Sequence, residues 1–170
     1  MSDRISRPNF SNNSYDLLII GGGINGGGIA NIATANGLKV ALIEKGDFAS
    51  GTSSKSTKLI HGGLRYLENF EFDLVHEALR ERAIQLKAAP HLVKPLKFIL
   101  PVYETDRRPL WMIQLGVALY DFLSGKFLIK KHQSFSPLHI VAQVPEIKKE
   151  GLVGGVNYYD AQMDDARLCL

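Results

Sequence analysis

Cysteine is nearly absent. One thiol, Cys169, occurs in 170 residues, so no intramolecular disulfide can form, and no Cys/His cluster with metal-ligand spacing surrounds it. That usage suits a reducing, cytoplasmic setting, and no metal is expected. Long apolar runs are missing too. No stretch reaches the roughly 18–20 uninterrupted apolar residues of a membrane span. The opening "MSDRISRPNFSNN" lacks the apolar core of a secretory signal, and Asp3 and Pro8 speak against an amphipathic presequence. Residues 1–14 are therefore expected to form a disordered arm. A net charge of +3 is too mild to argue for nucleic acid, and none is expected as a partner. There is no internal repeat and no low-complexity linker. With 45% hydrophobic and 22% charged residues the chain is globular in character, either one domain or the front part of something larger.

Glycine, by contrast, is concentrated. In "YDLLIIGGGINGGGIA" the run Tyr15–Ile20 reads as a parallel strand buried on both faces. Gly21, Gly23 and Gly26 then match G-x-G-x-x-G, and the spacing predicts a helix over 25–36 with Gly37 at its end. Each glycine has its own task. Gly21 lets the chain turn off the strand, Gly23 lets backbone N–H groups reach a pyrophosphate, and Gly26 lets the helix lie close to the sheet. Ile24 and Asn25 fall in the same turn, at the positive end of the helix. A second strand over 39–43 ends at Glu44, followed by Lys45. A carboxylate about 20 residues past the turn is placed to accept ribose hydroxyls, and its charge disfavours a 2′-phosphate. Strand, turn, helix, strand and carboxylate in register point to dinucleotide binding. The turn alone does not separate FAD from NAD.

The next segment, "KGDFASGTSSKSTKLIHGGLRYLENFEF", crowds hydroxyl donors around Gly51. On composition this is a solvated loop or a cradle for a polar ligand. Together with "GGGINGGGIA" and "YYDAQMDDARL", the stretch "DFASGTSSKSTKLIHGGLRYLE" resembles the FAD-dependent glycerol-3-phosphate dehydrogenase family, within the wider glycine/D-amino-acid oxidase type of flavoproteins. The resemblance runs from about Tyr15 to the last residue. It implies an α/β fold: a Rossmann-like FAD-binding βαβ domain, incomplete at its C-terminus, with residues 15–170 its N-terminal part and the start of a substrate or cap region at about 95–160. It implies FAD as cofactor, with Thr52, Ser53, Ser56, Lys58 and Leu59 around the flavin and pyrophosphate. Arg65 and Tyr66 are implied beside glycerol 3-phosphate, where a guanidinium suits a phosphate. His61 is a candidate near the flavin, set against the ordinary structural role of a lone histidine.

The implied reaction is oxidation of sn-glycerol 3-phosphate to dihydroxyacetone phosphate, with electrons passed to a membrane quinone or to oxygen. Two alternatives stay open: a truncated FAD-binding fragment without turnover, and an NAD-dependent Rossmann enzyme, which the segment after Glu44 disfavours.

Further along, Phe72 to Ala89 has helical periodicity and stops at Pro90, with Glu77, Arg80, Glu81 and Arg82 read as its solvated face. "KFILPVYE" reads as a strand in which Pro101 marks an edge or a bulge. "PLWMIQLGVALYDFLSG" would make a helix of roughly 24 Å over Pro109–Ser124, too short for a bilayer core of about 30 Å. Gln114 and Asp121 share one face of it. Arg107 and Arg108 before it, and Lys126, Lys130, Lys131 and His132 after it, suit either a core helix with solvated ends or peripheral contact with an anionic membrane, on the inner face of the cytoplasmic membrane. Asp164 and Asp165 are expected to cap a helix that begins there.

Overall fold

A computed structural model describes residues 13–170. The expected arm at 1–14 lies, except for its last two residues, outside the described residues. The chain divides into two compact units: the residues up to Ser56 together with Asp165–Leu170, and Thr57–Asp164.

In the first unit β1 (Leu17–Ile20), α1 (Ile24–Ala35) and β2 (Val40–Ile43) follow one another as the sequence predicts. β1 and β2 are parallel, with Leu17 opposite Val40 and Ile20 opposite Ile43. Gly37 takes a positive φ of 83°. Its N–H reaches Thr34 O and the Leu38 N–H reaches Ala33 O, so two carbonyls left open at the helix end are satisfied. A residue with a Cβ is strained at that φ. The expectation of a strand buried on both faces is only half met. Ile19 is 7% exposed but Ile20 80%, because α1 covers one face and no described element covers the other. A short helix, α5 (Asp165–Cys169), packs on α1 and completes the unit.

The second unit is a mixed layer of helices and antiparallel sheet. Its elements are β3 (Leu59–Ile60), α2 (Phe72–Ala88), β4 (Val93–Tyr103), α3 (Leu110–Ser124), β5 (Gln133–Phe135), α4 (Pro137–Gln143) and β6 (Leu152–Met163). β6 is central; β4 pairs with it along one side, β3 and β5 with its other side. β4 is thus an edge strand, and its register shifts between Val102 and Tyr103, directly after Pro101. β6 has no clear alternation in sequence, because Gly154 and Gly155 fall third and fourth in it and it is buried on both faces over 154–157. A Cβ on Gly155 would lie 2.5 Å from Leu100 O and 2.8 Å from the Ile140 side chain. Close approach of β4 and α4 therefore demands glycine where strand propensity disfavours it.

The core lies between β6 and the α2–α3 pair: Val75, Leu79 and Tyr120 are fully buried, with Leu64, Tyr66, Leu67, Leu123 and Tyr158 against them. Gln114 and Asp121, on one face of α3, hold β5 and the residue just before it. Gln114 donates to Ser134 Oγ at 2.9 Å, and Asp121 accepts from the backbone and ring of His132.

One expectation is corrected here. Arg82 is not on the solvated face of α2: it is 0% exposed, whereas Glu77, Arg80 and Glu81 are exposed. Val75, Leu79 and Arg82 follow the i, i+4, i+7 spacing of a buried stripe. The guanidinium survives there because its NH1 pairs with Asp160 at 2.6 Å and donates to Tyr159 O, while NH2 donates to Phe127 O. Arg82→Ala should cost about 3–5 kcal/mol, because it leaves a buried carboxylate uncompensated. Denaturant unfolding of the variant checks this; a loss below about 1 kcal/mol, as for an exposed pair, contradicts the buried assignment.

Candidate functional site

The glycine turn is built by close contacts. Gly21 has φ 110° and donates to Ile43 O at 2.8 Å, which bends the chain off β1 beside the end of β2. A Cβ on Gly26 would sit 1.9 Å from Gly21 O, so the helix begins closer to the strand than any other residue allows. Gly23 stands just before α1, and a Cβ there would press on Ser53 Oγ at 3.1 Å. No acidic side chain lies in the first turn of α1 and none caps it. The first bond of the helical ladder is Gly27 N to Gly23 O, so the N–H groups of Asn25 and Gly26 precede it. Ile24 N donates to Ser53 Oγ at 2.9 Å. This is a cradle of backbone donors at the positive end of a helix, with a hydroxyl beside it.

Glu44, at the end of β2, reaches back to this turn. Its Oε2 accepts from Gly22 N at 2.7 Å and its Oε1 from Gly46 N at 2.9 Å. Those backbone donors, Gly22 first, hold its carboxyl below the usual range, and Lys45 adds a smaller effect in the same direction. The carboxylate therefore braces the turn, and each oxygen keeps acceptor capacity for a ribose hydroxyl. Thr52 and Ser53 lie in a short 3-10 turn (Thr52–Ser54). Ser56 donates through its hydroxyl and its N–H to Asp165 Oδ2, at 2.8 and 3.3 Å. Asp165 opens α5, where its Oδ1 accepts from the adjacent Ala166 N. Its second oxygen straps the serine-rich loop. Sequence reasoning missed that role, since 109 residues separate the partners.

Gly21, Gly23, Ile24, Asn25, Gly26, Glu44, Lys45, Thr52, Ser53 and Ser56 thus all belong to the first unit, and Lys58, Leu59, His61, Arg65 and Tyr66 to the second. Lys58 has φ 59°, unusual for a side-chain-bearing residue, and its carbonyl accepts from Met163 N. Leu59 pairs with Gln162 in the sheet, and His61 is exposed. Arg65 and Tyr66 lie on a 3-10 turn, Leu64–Asn69, which begins at Gly63 in the left-handed region. Tyr66 folds its ring over that glycine; a Cβ on Gly63 would fall 2.2 Å from Tyr66 Cδ2. Glu68 on the same turn pairs with Arg108, which lowers the carboxyl's pKa. Arg65 is exposed and forms no ion pair within contact distance among the described residues, although its charge adds a smaller effect to that of Arg108 on Glu68.

Residues 16–170 match the family described as DAO: FAD dependent oxidoreductase. A glycerol-3-phosphate dehydrogenase of Synechocystis sp. is 53% identical over 159 residues, which is 94% of this chain and 29% of the relative. The chain therefore spans under a third of that relative's length. The crystal structure of the glycerol-3-phosphate dehydrogenase from Bacillus halodurans complexed with FAD aligns at a TM-score of 0.65 and 33% identity, over 94% of this chain and 24% of that one. Glycine oxidase from Geobacillus kaustophilus shares the fold, with a TM-score of 0.62 and 21% identity over 91% of this chain and 42% of that one. The cradle's chemistry suits the anionic, adenosine-bearing end of FAD: Gly22, Gly23 and Gly26 leave little space for side chains, and the Glu44 carboxylate beside them is of the type that accepts ribose hydroxyls.

Gly26→Ala should abolish flavin retention, since the added methyl meets backbone rather than a movable side chain. Glu44→Gln should weaken it. Because the folded-state pKa of Glu44 is lowered, its stabilisation is complete above the unfolded value and fades as pH falls through the lowered one. Wild-type protein should therefore lose flavin in acid more steeply than Glu44→Gln. Equal retention across the acid range, read from the flavin absorbance of gel-filtered protein, contradicts the brace.

Proposed function

The chain belongs to the DAO family of FAD-dependent oxidoreductases, and we propose that the protein oxidises sn-glycerol 3-phosphate to dihydroxyacetone phosphate. Bound FAD supplies the hydride acceptor. The substrate loses its C2 hydrogen as hydride and its C2 hydroxyl proton to a base that no residue of this chain is assigned to be. Electrons then pass to a membrane quinone or to oxygen. This segment holds the nucleotide end of the cofactor through Gly21–Gly26, Glu44 and Ser53. It offers Arg65 and Tyr66 to the substrate, and the region of about 95–160 is the start of the substrate-binding part.

One observation carries the substrate assignment. Arg65 is exposed on a turn fixed by Gly63, and the neighbouring carboxylate of Glu68 is engaged by Arg108 instead. The guanidinium fork is thus available for a phosphate or for the developing alkoxide. Arg65→Lys keeps the charge and loses the fork, and kcat/KM for glycerol 3-phosphate should fall about tenfold or more. Tyr66→Phe should give a smaller loss. Steady-state kinetics at matched FAD content checks both; wild-type kcat/KM in both variants removes these residues from the substrate site.

A second reading, peripheral contact with an anionic membrane, is favoured by the outer face of α3. Trp111, Leu115 and Phe122 are 61%, 63% and 80% exposed along one stripe, and the exposed Lys126, Lys130 and Lys131 follow it. No described helix is long and apolar enough to cross a membrane. Apolar side chains beside lysines suit the headgroup boundary. Changing the three lysines to Glu should reduce sedimentation with anionic vesicles at low salt and leave neutral vesicles little affected. Unchanged sedimentation with anionic vesicles contradicts this reading.

A further inference from the structure

Behind the turn that carries Arg65 and Tyr66 lies a buried charge relay that the proposed chemistry does not itself require. Asp160 Oδ1 accepts three hydrogen bonds: from Arg82 NH1 at 2.6 Å, from the Tyr120 hydroxyl at 2.7 Å and from Gly62 N at 3.2 Å. Asp160, Arg82 and Tyr120 are each no more than 1% exposed. Burial and the adjacent carboxylate raise the Tyr120 phenol far above its ordinary value. It therefore stays a neutral donor to Asp160 throughout the physiological range. The last of the three bonds leaves the core and ends on the backbone of the His61–Tyr66 segment. Gly62 is also confined sterically: a Cβ on it would lie 2.1 Å from the Tyr120 hydroxyl and 2.4 Å from Leu79 Cδ2. One residue on, Gly63 turns left-handed, its carbonyl accepts from Tyr66 N at 2.8 Å, and the Tyr66 ring closes over it.

We propose that Asp160 and Tyr120 are positioning residues for the substrate-facing turn. The carboxylate, paired with and oriented by Arg82, fixes the Gly62 N–H. The Tyr120 hydroxyl both donates to that carboxylate and walls the glycine in. Gly62 and Gly63 together then set where Arg65 and Tyr66 project. This rests on the assignment of Arg65 to the substrate site.

The three partners have separable duties. The Arg82–Asp160 pair is intact without Tyr120, so Tyr120→Phe keeps the ring, the core packing and the buried charges, and removes only the hydroxyl that touches the turn. Asp160→Asn keeps the shape and removes the charge, at the risk of destabilising the unit around an unpaired Arg82.

The test is a double-mutant cycle in the intact, FAD-loaded enzyme, with Tyr120→Phe and Arg65→Lys singly and together, and Asp160→Asn alongside. Tyr120→Phe should raise KM for glycerol 3-phosphate by about three- to tenfold, with FAD content close to wild type and a melting temperature lowered by no more than the loss of one buried hydrogen bond costs. In the Arg65→Lys background the same change should add little, because the fork it positions is already gone. Asp160→Asn should show the same KM rise, and if it does not fold, Tyr120→Phe alone decides. An unchanged KM in Tyr120→Phe, or equal fold-changes in both backgrounds, overturns the positioning role and leaves the network purely structural. Should Arg65→Lys itself keep wild-type kcat/KM, the substrate assignment falls and the positioning role falls with it. A loss in Arg65→Lys with strict additivity removes only the positioning role.

Discussion

Donors from three separate stretches of the chain converge on one oxygen of Asp160, and the second unit is organised around that oxygen. Arg82 brings α2, Tyr120 brings α3, and Gly62 brings the turn that follows β3. Apolar packing of Val75, Leu79 and Tyr120 would tolerate several arrangements of these elements, since dispersion and hydrophobic burial have no direction. A buried carboxylate does not. Misalignment would leave a charge without its partner in a medium where that costs several kcal/mol. The pair is thus better read as a device that selects one register of helices on β6 than as a net source of stability. Two buried donors of this unit, Arg82 Nε and Asn157 Nδ2, have no hydrogen-bond partner among the described residues.

The first unit depends on a different constraint, which is steric. α1 approaches β1 so closely that Gly26 lies against the carbonyl of Gly21. That approach brings the opening of the helix beside the strand end, where backbone donors and the helix dipole act together on an anion. Glu44 braces Gly22 and Gly46 at once, and in the proposed FAD site its oxygens would also accept from a ribose. Asp165 has a similar double duty, starting α5 with one oxygen and strapping Ser56 with the other.

Local physics is what the sequence displays well. The strand–turn–helix–strand order of 15–43 is legible because hydrophobic periodicity, glycine spacing and the Gly37 stop agree with one another. α2 and α3 are legible for the same reason, as is the edge character of β4 through Pro101. Longer-range dependence is not displayed. β6 is hidden because its register needs glycines at 154 and 155 to admit β4 and α4, and glycine carries no strand signal. Arg82 is hidden because an arginine between exposed charges looks solvated, and its partner lies 78 residues away. Its place on the Val75–Leu79 stripe was the available clue. Within the site, the glycine cradle and Glu44 could be placed from spacing, whereas the Ser56–Asp165 strap and the Gly62–Asp160 bond depend on contacts about 100 residues apart.

The proposed substrate role of Arg65 and the cradle at Gly21–Gly26 meet in one proposal, that the intact protein is a flavoenzyme that takes hydride from glycerol 3-phosphate. The most direct measurement is the blue absorbance of the purified, flavin-loaded protein under anaerobic conditions as glycerol 3-phosphate is added, with glycine and a D-amino acid as comparisons. The account predicts rapid bleaching with glycerol 3-phosphate and none with the amino acids. A flavin that stays oxidised with glycerol 3-phosphate, or that is bleached instead by an amino acid, contradicts it.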